Sequence, residues 1–165
     1  MISTELIRRY PFFAGLTKDQ IATLAKVANE VHVERGHSFF REGDELNTFY
    51  MVVEGSVNIT IGIPDQFKRH SLVDQITNNL DMVDTTVSNV TEGNVFGWSA
   101  LIPPYRSSAS AVASKPCQVI AFNCEQLRPI LERDCEFALR MTIKAAQIIR
   151  SRLHDMRIES LAFVS

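Results

Sequence analysis

The sequence predicts an α+β fold: an antiparallel β-roll flanked by short N-terminal helices and a long C-terminal helix. Three observations predict it. Apolar residues recur at helical spacing at both ends of the chain. After about Asn29 the period drops to two, and Gly36, Gly43 and Gly55 punctuate that stretch at regular turns. At 165 residues the chain is expected to form one domain over 1–165, with N-terminal helices over 1–30, the roll over 31–123 and C-terminal helices over 124–160.

In "STELIRRYPFFAGLTKDQIATLAKVANEV", Ser3 or Thr4 can cap a first short helix, which Pro11 interrupts. Thr17 is placed to cap a second, with Gln20 three residues on as in a capping box. Ile21, Leu24, Ala25 and Ala28 form its apolar stripe. In "VHVERGHSFFREGDELNTFYMVVEGSVNITIGI", Val57, Ile59, Ile61 and Ile63 alternate, so one strand face is expected to be buried. Residues 64–82 are polar, contain Pro64, and separate two strands by a gap long enough for a functional or mobile loop. "VDTTVSNV" resumes the strand pattern, and "SSASAVASKPCQVIAFN" gives two more strands around a turn at Lys115-Pro116. From Cys124 the pattern is helical again. Pro129 fits the first turns of a helix or a break between two short ones, and the last long helix starts near Asp134 or Cys135. That helix has two apolar stripes, one of Leu139, Ala146, Ile149, Leu153 and Met156, the other of Phe137, Met141, Ala145 and Ile148. One stripe can cover the roll while the other meets a second copy in a homodimer; the alternative is a single wide buried face.

A net charge of −2 and a pI near 6.1 argue against a domain-wide basic footprint for nucleic acid. The three cysteines, Cys117, Cys124 and Cys135, form no C-x-x-C pair and no signal peptide precedes them. They are expected to be reduced thiols packed as small hydrophobes in a cytoplasmic protein. No apolar run approaches the roughly 18 residues of a membrane span. A metal enzyme on a barrel of this kind would need clustered histidines. His32, His37, His70 and His154 form no i, i+2 pair and fall in different elements, so no metal site is expected. No arrangement of nucleophile and base is present either, so no catalytic residue is assigned and the protein is not expected to be an enzyme.

The stretch "VFGWSALIPPYRSSASA", residues 95–111, combines a glycine turn, a short helical turn, one arginine and consecutive hydroxyls. The first N–H groups of a helical turn lack partners, and its dipole favours an anion there. Gly97 allows close backbone approach, Arg106 can fork two N–H donors onto an oxyanion, and the Ser107 hydroxyl adds a donor. Together these make a seat for one compact phosphate.

"YPFFAGL", "ERGHSFFREGDELNTFYMVVEGSVNIT" and "GNVFGWSALIPPYRSSASAVA", in this order, resemble the cyclic nucleotide-binding domain family from about Ile7 to Arg157. The resemblance implies a double-stranded β-helix of jelly-roll type, a phosphate-binding cassette and a regulatory role with cyclic AMP or cyclic GMP as ligand. It also implies that Gly97, Trp98, Ser99 and Ala100 make backbone contacts, that Arg106 holds the cyclic phosphate, and that Ser107 or Ser108 supports it. No other cofactor is implied. The family's base contacts come partly from the C-terminal helix, where Thr142 or a nearby polar residue could serve.

One departure from the family pattern is informative. Position 98 should carry the glutamate that accepts from the ribose hydroxyl, and here it is Trp98. An indole has a donor and no acceptor. Three readings stay open: the ring stacks on or walls a nucleotide held mainly by its phosphate, the pocket takes another small anion, or the indole fills it and leaves a ligand-free dimerisation scaffold. Relatives of catabolite-activator type add a helix-turn-helix, and channels and kinases also carry the domain. After Arg157 only "IESLAFVS" remains, so no DNA-binding domain is expected in this chain, whether free-standing or a fragment. The apolar Leu161, Ala162 and Phe163 either dock on a neighbour or fray.

Overall fold

The computed structural model describes residues 1–65, 71–77 and 81–162. Its N-terminal part is helix α1 (Thr4–Arg8), a 3-10 turn (Pro11–Phe13) and helix α2 (Lys18–Lys26). Ser3 is the N-cap of α1, but its side chain makes no capping bond. The capping box of α2 is formed. Gln20 N–H donates to Thr17 Oγ1 at 3.2 Å, and Thr17 N–H donates to Gln20 Oε1 at 3.0 Å.

Eight strands follow: β1 (Ala28–Val33), β2 (Ser38–Phe40), β3 (Thr48–Glu54), β4 (Ser56–Pro64), β5 (Met82–Thr91), β6 (Val95–Phe96), β7 (Ser110–Ala113) and β8 (Cys117–Asn123). They form two antiparallel four-stranded sheets, in the orders β1-β8-β3-β6 and β2-β7-β4-β5. This is the expected jelly-roll, entered a few residues before the expected boundary. Apart from the β4–β5 hairpin, consecutive strands change sheet, so each apolar face is turned onto the other sheet. Gly55 makes the tight β3–β4 turn at φ +95, where a Cβ would lie 2.3 Å from the Pro116 carbonyl.

The long gap before β5 contains a short helix, α3 (Leu72–Ile76); residues 66–70 and 78–80 of that expected loop lie outside the described residues, and His70 with them. The alternation along β4 is only half realised. Val57 and Ile59 are buried, but Ile61 and Ile63 are only partly so, because the β4–β5 hairpin runs beyond the roll.

The core joins both sheets to the flanking helices. Phe49 stacks on Phe122 at 4.5 Å, and Phe13 of the first turn meets Phe122 at 5.4 Å. Each buried aromatic contributes about 1.5–3 kcal/mol relative to exposure. Helix α4 (Cys124–Arg133) is capped by Asn123, whose Oδ1 accepts from Gln126 N–H at 3.1 Å. Pro129 lies inside α4 and does not end it. The break comes at Asp134, at φ −116 and ψ 88, and its Oδ1 accepts from Phe137 N–H at 2.9 Å.

Helix α5 (Cys135–Ala162) then crosses the roll. Its two stripes differ in burial. Phe137, Met141 and Ala145 are buried, whereas Leu139 is 60% exposed, Leu153 56% and Met156 44%. Phe163 of the apolar tail lies outside the described residues, and Leu161 is exposed. No described helix is long and apolar enough to cross a membrane.

The cysteines correct one expectation. Cys117 and Cys124 are buried, but Cys135, at the start of α5, is exposed because it opens the helix just after the Asp134 break. Burial pushes the Cys124 thiol from its ordinary 9.0 up to about 11. The folded protein therefore holds this proton where the unfolded chain has released it, and stability should decline as pH rises from 9.0 through about 11. At pH 8, iodoacetamide should label native Cys135 and spare Cys117 and Cys124 until denaturant is added; peptide mass mapping reads the result, and rapid native labelling of Cys124 would contradict the burial argument.

Candidate functional site

The 95–111 stretch leaves β6 and enters the roll's interior seam. Gly97 sits at φ +76 in the left-handed region, and an added Cβ would meet the Thr48 carbonyl at 3.2 Å, so the chain passes close behind β3 there. A 3-10 turn, Trp98–Leu101, follows. Ala100 N–H bonds back to the Gly97 carbonyl at 3.1 Å. Trp98 and Ser99 come first in the turn, so their N–H groups have no acceptor within it.

The return of the stretch is clamped to the loop before β3. Ser107 N–H donates to the Asp44 carbonyl and Gly43 N–H to the Ser107 carbonyl, both at 2.8 Å. Between them Arg106 pairs with Glu45 as an isolated bridge. Ser107 is buried and its hydroxyl bonds within its own turn to the Ala109 backbone. Arg106 is exposed, and its Nη1 donates to the Gly43 carbonyl at 3.1 Å. Among the described residues no carboxylate holds it in an ion pair.

A second arginine fixes the turn. Arg128 of α4 donates from Nε and Nη2 to the Ala100 carbonyl at 3.2 and 2.9 Å. Nη2 also reaches the Leu46 carbonyl at 2.7 Å, and Nη1 reaches Asn47 Oδ1 at 3.0 Å. Its guanidinium carbon lies 3.7 Å from the centroid of the Tyr105 ring. Tyr105 has φ +61, a costly conformation for a residue with a side chain, which this stacking and the Leu46 N–H bond to its carbonyl hold in place.

A cavity of about 460 Å³ opens beside the turn, within the range of small-molecule sites. Of the residues expected at the site, Gly97, Trp98, Ser99, Ser107 and Ser108 line it. Ala100 is buried behind the turn, where its carbonyl serves Arg128. Arg106 is outside the lining, because the bridge to Glu45 directs it to the exposed edge. Trp98 is half-buried and forms a wall with Phe40, Phe96 and Ile59, so the ring does not fill the space.

Helix α5 supplies the outer wall through Ile149, Arg152, Leu153 and Met156. Thr142 is not part of it; its hydroxyl bonds the Ala138 carbonyl within the helix at 2.8 Å. The sequence reading missed Arg152 and Glu42. The signal for Arg152 was available, since it lies three residues after Ile149 and four before Met156, on the same stripe. Glu42 carried no such signal, because its place depends on Gly62 N–H, which donates to Glu42 Oε2 at 3.1 Å. Among the described residues no three of His, Cys, Asp and Glu gather as a metal ligand set.

The profile of the cyclic nucleotide-binding domain matches residues 30–134, most of the chain. The chain belongs to that family. This domain is 24% identical over 152 residues to a putative potassium channel protein of Rhodopseudomonas palustris, covering 92% of this chain and 32% of that protein. It is 34% identical over 61 residues to a CRP-like cAMP-activated global transcriptional regulator of Mycobacterium tuberculosis, covering 37% and 27% respectively. The chain thus spans about a third of the length of these relatives or less. Among solved structures, a putative cyclic nucleotide-binding protein of Geobacter metallireducens superposes with a TM-score of 0.76 at 29% identity, covering 93% of this chain and all of that one. The regulatory domain of Toxoplasma gondii PKA with cAMP shares the fold, with a TM-score of 0.63 at 17% identity over 87% of this chain and 48% of that one.

Within the cyclic nucleotide-binding domain, the Arg128 fork should carry measurable stability. Arg128→Met would strip donors from the Ala100 and Leu46 carbonyls and should destabilise the fold by about 2–3 kcal/mol in urea unfolding. Arg128→Lys should recover only part, since an ammonium cannot fork. A loss under about 0.5 kcal/mol for the methionine variant would show that the fork contributes little.

Proposed function

We propose that this domain is a cytoplasmic regulatory sensor that binds a cyclic nucleotide, cyclic AMP or cyclic GMP, and acts through binding and not through catalysis. The observation that carries the reading is the composition of the cavity wall: the 97–99 turn and Ser107–Ser108 on one side, α5 on the other. A ligand there touches the roll and the C-terminal helix at once. The unpaired N–H groups of the turn and the Ser108 hydroxyl suit a phosphate, and Trp98 with Phe40 and Phe96 suits the flat apolar face of a base. Without a carboxylate at position 98 the sugar loses a charge-assisted hydrogen bond, worth about 1.5–3 kcal/mol, so affinity should be one to two decades below that of a site with one. The signal would be the position of α5 against the roll. A ligand shifts that position only by binding one arrangement better than the other.

Trp98 is the sole tryptophan and lines the cavity, so its emission should report on occupancy. Titration with cyclic AMP and cyclic GMP should change it with a midpoint in the micromolar to millimolar range, matched by calorimetric heat. Flat emission and no heat at millimolar nucleotide would defeat the ligand and favour the scaffold reading.

The same helix supports a homodimer. Leu139 and Ile143 form an exposed apolar pair on α5, on the side away from Phe137 and Met141. Sedimentation at tens of micromolar should show a dimer that Leu139→Asp with Ile143→Asp disperses to monomer. A monomeric wild type at that concentration would exclude it.

A further inference from the structure

The cation of the cavity is not on the roll. Among the lining residues Arg152 carries the positive charge and Glu42 the negative. Arg152 is half-buried on α5, and its Nη1 donates to Ser88 Oγ on β5. It also lines a second cavity of about 560 Å³ whose walls include Glu92, Lys144 and Asp155. Burial pulls its pKa below the ordinary arginine value, and Asp155, nearly one turn further along, opposes that shift. Glu42 is exposed, and its Oε2 already accepts from Gly62 N–H. Arg106, the arginine of the loop, donates to the Gly43 carbonyl at the outer edge and does not line the cavity.

We infer that Arg152 on α5, and not Arg106 on the loop, holds the negative charge of the ligand. The inference rests on the cyclic nucleotide reading above and names the group that reads the phosphate. A guanidinium has five N–H donors, and here the Ser88 bond uses one. Ile149, Leu153 and Met156 line the cavity beside it, and this apolar surround strengthens an ion pair relative to one made in open water. The consequence is mechanical. Arg106 stays with the roll wherever α5 goes, but Arg152 leaves the cavity whenever α5 lifts. An anion held by Arg152 therefore binds the docked arrangement better than the lifted one, which is the difference in affinity a switch needs. Charge recognition and helix docking become a single event.

The test compares cyclic AMP with adenosine, which lacks the phosphate charge. Both are titrated into wild type, Arg152→Gln, Arg152→Lys and Arg106→Gln by Trp98 emission and calorimetry. Amide exchange over residues 145–156 follows the docking of α5. Wild type should prefer cyclic AMP and gain protection in α5 on binding it. Arg152→Gln should weaken cyclic AMP about 10- to 100-fold, leave adenosine unchanged and abolish the added protection. Arg152→Lys should recover part of the loss, and it keeps the test valid if thermal melting shows the glutamine variant unfolded. Arg106→Gln should stay within about twofold of wild type. The assignment is overturned alone if wild type binds cyclic AMP and Arg152→Gln matches it, if Arg106→Gln carries the loss, or if Arg152→Gln weakens both ligands equally through lost packing. If wild type binds neither compound, the ligand reading itself has failed, and this inference goes with it.

Discussion

The guanidinium of Arg128 is the constraint on which the site geometry rests. All three of its nitrogens are engaged, and they reach two separate pieces of chain: the Ala100 carbonyl in the 3-10 turn, and the Leu46 carbonyl with the Asn47 side chain before β3. Its flat face packs on Tyr105. Only a planar, permanently charged fork can satisfy acceptors in those directions at once. Because Arg128 belongs to α4, that helix, the turn beside the cavity and the loop before β3 are tied together by one side chain.

That arrangement explains how the site tolerates a tryptophan where the family pattern has a carboxylate. The turn is held from behind, by Ala100 and Gly97, and not from the ligand side. Position 98 is therefore free to change chemistry without releasing the backbone. What changes is the character of the space. Its walls are Phe40, Ile59, Phe96 and Trp98 on the roll and Ile149, Leu153 and Met156 on α5, with hydroxyls at Ser99, Ser107 and Ser108 as the main polar groups of the turn side. In a cavity that apolar the charged groups are few: Arg152 on the helix and Glu42 on the roll side.

The parts of the molecule set by local chemistry were legible in the sequence. The Thr17–Gln20 capping box, the glycine turns, the alternation of the strands and the two stripes of α5 all follow from residues a few positions apart. Ser3 was legible as a cap by type, but its hydroxyl makes no capping bond. Pro129 was legible as a helix-start or breaking residue, yet the break falls at Asp134, whose side chain caps the next helix. The site was legible only in part. Gly97, Trp98, Ser99, Ser107 and Ser108 come together because they are close in sequence. The direction of Arg106 depends on its pairing with Glu45, and the place of Glu42 depends on its bond from Gly62 N–H on β4. Those are long-range pairings that no local spacing encodes.

The joint between α4 and α5 is one residue long. Arg128 anchors α4 to the turn, and everything beyond follows from the two backbone torsions of Asp134. Helix α5 has 28 residues, so at 1.5 Å per residue it is a rigid arm about 42 Å long. A swing of about 10° at its root carries the tip through roughly 7 Å, enough to separate or align two such arms side by side. Asp134 is thus the fulcrum of the domain, where the smallest angular adjustment produces the largest displacement at a distance.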